Sequence, residues 1–559
     1  MSDLLSQAPS LARLAASVVI DELAALGVTE IVVCPGSRSA PLAYAAFAAE
    51  QAGRLRLWMR LDERAAGFFA LGLAKDSGRA AAVVTTSGTA VANLIPALLE
   101  ARHAHVPLLA LTADRPATLW GTGANQTTDQ IGLLGSVARQ SLRIASADAA
   151  PEAWRSCLRR AVVAAEGRLS RTPGPVHLNI ELTPPLTGQP GPLSAGTPFA
   201  TEAASLGRAV ALNPGPRTVV VAGDLPPEVG RRLAEQAARA GLPLLAEPSS
   251  NARRGPAAIR YYRLLLPHLA KGLERVLVFG HPTLSRPVQG LLGRRDLEIV
   301  AVAPTADWID PGWAVSRVVP ALVLPVGDPA WLARWQRADR ELAQAIPAAG
   351  PGDAPLTGPA LAAAVGAALG PADVLLLGAS QPVRDADLCP VAAEPPSTYA
   401  NRGLAGIDGT IATALGLAAS SGRAVTALLG DLTALHDIGS LVPLALERPV
   451  DCRLVIADDN GGSIFATLEY GAPAAELGEP AEAFERCFAL PHGVDLAAVA
   501  RAFGCPAEQV STAGELARAL AAPWRGLSVI VAKLSRFDRR EQEARLARSA
   551  RRAARAGEV

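Results

Sequence analysis

Two stretches decide the fold: ALLGDLTALHDIGSL (427–441) and LVIADDNGGSIF (454–465). In each, an apolar run ends on acid: ALLG on Asp431, LVIA on Asp458 and Asp459. Short, uniformly apolar runs read as strands covered on both faces of a parallel sheet. Such a sheet places its binding crevice at the carboxyl ends of its strands, where these acids fall. Hard oxygens on neighbouring loops, with glycines that let the backbone come close, suit Mg²⁺ holding a diphosphate. The candidate ligands are the side chains of Asp431 and Asp459 and the carbonyl of Gly461. The helix after Asp431, opening with Leu432 and Thr433, would turn its N-terminus toward phosphate. GASQPVR (378–384) offers a third loop, with Ser380.

Working outward, the same strand–loop–helix pattern repeats. TEIVVCPG, RAAAVVTTSG, VPLLALTAD and GPVHLNIELTPP read as strands of a first sheet, and GTAVANLIPALLEA as one helix. RTVVVAGDLPP, VLVFGHPTLSRPV and LEIVAVAPTADW belong to a second sheet; ADVLLLGAS, RAVTALLGD, CRLVIADDNGG and LSVIVAKL to a third. A stretch rich in Pro, Gly, Ser and Thr near 185–215 and one rich in Pro, Gly and Ala near 346–359 read as linkers. The expectation is an α/β chain of three doubly wound parallel-sheet domains, spanning 1–190, 205–345 and 355–559.

Composition fits large buried sheets: of 559 residues, 50% are hydrophobic and only 19% charged. That length exceeds what one core supports. The net charge of +1 provides no field for nucleic acid. No uninterrupted apolar run suggests a membrane span. The N-terminus lacks a basic n-region, so no signal peptide is expected. The six scattered cysteines, with no CxxC, read as reduced thiols of a cytoplasmic protein. His103 and His105 read as surface or cap residues.

Glu63 opens the helix in LWMRLDERAAGFFALGLAK (57–75). An acid there has a bland explanation, dipole stabilisation and capping. Its weight comes from pairing with the distant metal loops, and together they point to thiamine diphosphate. That cofactor must lose its C2 proton to the neighbouring 4′-imino group. A carboxyl hydrogen-bonded to N1′ drives the required tautomer, best in an apolar pocket. Phe68 and Phe69 are candidates to dry that pocket.

The motifs VCPGSRSAPL (33–42), LDERAAGFFALGLAK (61–75), TTSGTAVANLIPA (85–97), LTADRP (111–116) and GANQTTDQ (123–130) carry a resemblance. So do GASQPVRD (378–385), ANRGLAGIDGTIATALG (400–416), GDLTALHDI (430–438) and DNGGSIF (459–465). With these the chain resembles the 2-succinyl-5-enolpyruvyl-6-hydroxy-3-cyclohexene-1-carboxylate synthase family of menaquinone biosynthesis. The resemblance implies a pyrimidine-binding, a central and a diphosphate-binding domain. It implies a homodimer or dimer of dimers with active sites at the subunit interface, Glu63 of one copy facing the metal of another. It implies decarboxylation of 2-oxoglutarate and 1,4-addition of the succinyl carbanion to isochorismate. It also implies Glu63, Arg38 and Gln126 as catalytic residues. Ser37, Arg38, Arg115, Asn125, Gln126, Arg286, Arg384 and Arg402 would face the substrates. Ile407 would bend the cofactor, and Ile464 and Phe465 would line it. Arginine forks suit two substrates that together bear four carboxylates.

One departure from the broader thiamine pattern is Asp459, where many relatives carry asparagine; the added charge leaves Mg²⁺ and Mn²⁺ both open. Competing readings are another thiamine diphosphate enzyme, such as an acetolactate synthase or 2-oxoacid decarboxylase, and a non-catalytic subunit of the same fold. The basic C-terminal stretch RFDRREQEARLARSARRAARAGEV (536–559) reads as a solvated terminal helix, with an anion- or partner-binding arm as the alternative.

Overall fold

A computed structural model of the chain describes residues 9–190, 197–346, 352–471, 480–537 and 539–556. The protein divides into two compact units. The first comprises Met1–Ser205, Asp408–Gly422 and Asp437–Val450; the second comprises Leu206–Ile407, Arg423–His436 and Asp451–Val559.

The first unit is built on a six-stranded sheet: Glu30–Val33, Arg56–Met59, Ala81–Thr85, Leu108–Asp114, Gln140–Ala145 and Pro175–Glu181. Numbered in chain order within the sheet, the strands lie 2-1-3-4-6-5, all parallel. The chain reverses its winding between strands 1 and 3, which opens a crevice at their carboxyl ends. The inner strands are buried along their whole length, as their apolar runs demand.

Helix Glu63–Ser77 follows edge strand Arg56–Met59. Asp62 caps it by accepting from Arg64 N and Ala65 N at 2.8 and 3.1 Å, and Gly78 ends it in the left-handed region. Its middle, Ala65–Ala74, is wholly buried, and it packs on helix Thr410–Ser421 of the same unit. Gly409, at φ +55°, starts that second helix directly over the Phe68 ring, where any side chain would overlap it. Phe69 stacks edge-on against Trp58, centroids 5.4 Å apart, under the Arg60 guanidinium. Both phenylalanines are buried in this unit.

The second unit holds two sheets. The central one has five parallel strands, Thr218–Ala222, Leu244–Ala246, Arg275–Phe279, Glu298–Val302 and Arg317–Val319, in order 2-1-3-4-5. The other has six: Val374–Leu377, Ser397–Ala400, Val425–Gly430, Cys452–Asp458, Ala507–Val510 and Leu527–Lys533. Their order is again 2-1-3-4-6-5, all parallel. Asn251 joins the two sheets: its amide donates to Thr398 O at 2.8 Å and accepts from Thr398 N at 2.8 Å.

Two expectations are corrected. The stretch 89–103 is two helices, Thr89–Ala92 and Ile95–His103. Pro96, in the first turn of the second, has no N–H to continue the first. The C-terminal helix Arg539–Ala556 is not merely solvated: Ala550, Ala553 and Ala554 are buried in the central core with Tyr261, Tyr262, Trp331 and Trp335. Its alanines form a small-residue stripe at helical spacing, so burying that face costs little side-chain entropy. Among the described residues no helix is long and apolar enough to cross a membrane.

Candidate active site

The sequence motifs gather at two crevices, one in each unit. In the first unit, the loop after strand 1 carries Ser37 and Arg38, the loop after strand 3 carries Ser87, and Arg115 follows strand 4. Arg115 is 9% exposed. Its guanidinium donates to Ser87 Oγ, to Gln126 O at 3.0 Å and toward Gln126 Oε1 at 3.5 Å. Gln126 itself sits at φ 54°, a costly conformation for a residue with a Cβ. Arg38 donates to Leu182 O at 2.8 Å. Burial, then the charge of Arg115, pushes Arg38 below its usual range. Two arginines held close enough to repel, beside exposed Ser37, Asn125 and Gln126, suit an anion.

Glu63 is half-buried at the start of its helix. Because Asp62 does the capping, the Glu63 carboxylate is left for another partner, and Asn93 Nδ2 donates to it at 3.3 Å. Burial, then Glu63 and Asp62, pushes the nearby Cys34 thiol well above its usual range, so it stays protonated. Asn93 lies inside a quoted motif, yet nothing in its spacing singled it out.

In the second unit, the loops after strands 1, 3 and 4 of the third sheet converge. Ser380, at φ 70°, precedes the short helix Gln381–Ala386. Asp431 is 2% exposed. Its Oδ1 accepts from Leu432 N at 2.6 Å and its Oδ2 from Gly461 N at 2.8 Å. Leu432 and the buried Thr433 follow in helix Asp431–His436. Gly461, at φ 145°, sits where a side chain would run into the Ala489 carbonyl.

Ligand atoms of Asp431, Asp458 and His492 lie within 4.8 Å of one another, and His492 Nε2 is 3.3 Å from Asp431 Oδ2. That grouping contains Asp458 and His492, neither of them an expected ligand, and Asp459 lies just outside it. Successive side chains at a strand end point to opposite sides, so the doublet Asp458-Asp459 did not reveal which one turns toward Asp431. His492, in PHGV, carries no spacing signal.

Asp459 remains close enough to Asp431 to feel its charge. Burial first, with Asp431 adding repulsion, pushes its carboxyl up to about 7. Its Oδ1 is buried with no hydrogen-bond partner among the described residues. Burial likewise raises Asp431. Crowded buried carboxylates with an unsatisfied oxygen fit a divalent cation, and the cramped Gly461 backbone fits a third ligand beside them.

The remaining predicted residues are spread along the second unit. Ile464 and Phe465 lie in helix Ser463–Ala466, with Phe465 in a ring cluster with Tyr470 and Phe488. Ile407 is half-buried on the loop that ends this unit's first segment. Arg384 donates to Ser380 O at 2.6 Å. Burial, then Arg402 and Arg263, pushes it down to about 10. Arg402, 3% exposed, donates to Thr283 Oγ1 at 2.6 Å. Beside it lies Glu247, pushed up to about 7 by burial. Arg384 and Arg402 are thus mutually repelling cations in one place. Arg286 differs: its side chain is 72% exposed and its partner is Glu469, at 3.6 Å.

Known proteins give the same two halves. Residues 13–133 match the family model "Thiamine pyrophosphate enzyme, N-terminal TPP binding domain" and residues 378–531 its "C-terminal TPP binding domain" counterpart. A relative from Kineococcus radiotolerans named 2-succinyl-5-enolpyruvyl-6-hydroxy-3-cyclohexene-1-carboxylate synthase is 47% identical, covering 92% of this chain and 94% of the relative. Relatives of the same name from Nocardioides sp. and Arthrobacter sp. are each 44% identical. They cover 96% and 95% of this chain, and 98% and 91% of their own lengths.

Proposed function

On the premise that the chain belongs to the 2-succinyl-5-enolpyruvyl-6-hydroxy-3-cyclohexene-1-carboxylate synthase family of thiamine diphosphate enzymes, we propose how it performs that family's reaction. The reaction is a carboligation in menaquinone biosynthesis. 2-Oxoglutarate loses its C1 carboxylate as CO₂, and the remaining succinyl unit adds in 1,4 fashion to isochorismate. The relatives' name favours this reaction over an acetolactate synthase or a 2-oxoacid decarboxylase.

Bound thiamine diphosphate supplies an acidic carbon and an electron sink. In the proposal Glu63 holds a proton at the pyrimidine N1′, with Asn93 orienting the carboxylate. Asp431, Asp459 and the Gly461 carbonyl hold Mg²⁺ or Mn²⁺, and Ser380, Leu432 and Thr433 meet the diphosphate. Ile407, Ile464 and Phe465 shape the cofactor's apolar contacts. Ser37, Arg38, Arg115, Asn125, Gln126, Arg384 and Arg402 bind the substrate carboxylates. Arg286 has the weakest case, because it is solvent-exposed. The domain bounds 1–190, 205–345 and 355–559 belong to the same proposal. So do a cytoplasmic location and a homodimer, or dimer of dimers, in which Glu63 of one copy serves the metal loop of another.

The observation that supports the reading is the crowding of buried acids at the third sheet's crevice, where Asp459 Oδ1, close to Asp431, has no hydrogen-bond partner among the described residues. Carbon dioxide release from 2-oxoglutarate by the purified protein, with and without isochorismate, tests it. Release coupled to formation of the succinyl adduct is expected. Release unaffected by isochorismate, with an aldehyde product, would replace the reading with a decarboxylase.

A further inference from the structure

The basic C-terminal stretch, which the proposed function leaves without a task, begins at the third sheet's crevice. Lys533 ends the strand Leu527–Lys533, and Arg536 and Arg539 follow at three-residue spacing. Lys533 Nζ donates to Asp458 Oδ2 at 2.6 Å. Arg536 Nη1 donates to the carbonyls of Asp459 and Asn460 at 3.4 and 3.2 Å, and its other nitrogen pairs with Glu485. Arg539 Nη1 lies 3.0 Å from both carboxylate oxygens of Asp385, and its Nη2 lies 4.0 Å from Asp459 Oδ2.

Arg539 is 5% exposed, and Asp385 and Asp459 are each 6% exposed. Asp385 belongs to the helix Gln381–Ala386, next to Arg384, and also accepts from Gln381 Nε2 at 3.0 Å. One buried guanidinium therefore spans two loops of the crevice: the Ser380–Arg384 turn and the Asp459 loop. Stability is a poor explanation for it. A buried ion pair roughly cancels its own desolvation cost, and the helix docks through Ala550, Ala553 and Ala554 instead. What such a pair does provide is fixed geometry.

Resting on the function proposed above, we infer that Arg539 is a positioning residue of the cofactor site. Through Asp385 it fixes the turn bearing Ser380 and Arg384, and through its second nitrogen it sets that turn's register against Asp459. Lys533 and Arg536 tether the rest of the Asp458–Asn460 loop.

The test is titration of thiamine diphosphate at fixed Mg²⁺ into the full-length apoprotein, followed by tryptophan fluorescence, with kcat measured at low and saturating cofactor. Arg539→Gln should raise the half-saturating cofactor concentration at least about tenfold, and saturating cofactor should restore most of kcat, which a damaged fold would not allow. Arg539→Lys keeps the charge but not the two-armed span, and should fall between. The Asp385→Asn/Arg539→Gln double variant should be no worse than Arg539→Gln alone, as expected when both act as one unit. Arg552→Gln, exposed on the same helix, should match wild type. Wild-type half-saturation in Arg539→Gln overturns the inference; if that variant does not fold, wild-type half-saturation in Arg539→Lys does so. A wild-type protein that shows no Mg²⁺-dependent cofactor binding would instead bring down the proposed function, and this inference with it.

Discussion

The first and third sheets have the same strand order, 2-1-3-4-6-5, and each opens its own crevice between strands 1 and 3, yet the two crevices carry opposite charge. The first gathers Arg38 and Arg115 around Ser87 and Gln126. The third gathers Asp431, Asp458 and Asp459 around a backbone tightened at Gly461. Winding order fixes where a ligand can sit, and the loops fix which ligand it is. The element after strand 2 differs in the same way. In the first sheet it is the helix opening with Glu63; in the third it is a loop carrying Arg402 before helix Thr410–Ser421.

The sharpest way to break the comparison is at Glu63. Glu63→Gln should lower turnover by at least about a hundredfold, the scale of a lost proton-transfer group, while cofactor binding stays near wild type by calorimetry. Asp431→Ala comes next: Mg²⁺-dependent cofactor affinity should fall tens of fold, read by thermal shift with and without metal. Arg402→Ala should raise the KM for substrate about tenfold or more with little change in cofactor affinity. An effect confined to cofactor affinity would instead make Arg402 a cofactor-binding residue.

Two smaller effects concern stability. Gly409→Ala places a methyl group against the Phe68 ring at positive φ, and should cost about 1–3 kcal/mol in denaturant unfolding. Glu247 is raised from 4.5 to about 7 by burial. A group raised in the folded state contributes its full stability below about 4.5 and loses it as pH climbs through about 7. Acidifying from pH 8 to 6 should therefore stabilise the protein by on the order of 1 kcal/mol through this group. Glu247→Gln should flatten that dependence in pH-resolved thermal melts.

The strands legible in the sequence are the inner ones. Ala81–Thr85 and Cys452–Asp458 are almost wholly buried and read as unbroken apolar runs. The strands the sequence does not show lie at sheet edges; in Gln140–Ala145 and Ala507–Val510 half or more of the residues meet solvent and polar side chains interrupt the run, while Leu244–Ala246 is buried but only three residues long. The site shows the same division. Asp431 and Gly461 are legible as candidates because they close apolar runs at strand ends. His492, Asn93 and Arg539 reach their places through tertiary packing from distant segments, and no local spacing marks them. The choice between Asp458 and Asp459 hangs on which side of the strand end each one leaves, which two adjacent identical letters do not encode.

We propose that a carboxylate from the front of the chain and a metal cradle from the back act on one thiamine diphosphate. Hydrogen–deuterium exchange at C2 of the bound cofactor, in wild type and Glu63→Gln with Mg²⁺ present, tests it most directly. Fast exchange in wild type, slowed at least about a hundredfold in a variant that still binds cofactor, is the predicted result; equal exchange rates in the two proteins would contradict it.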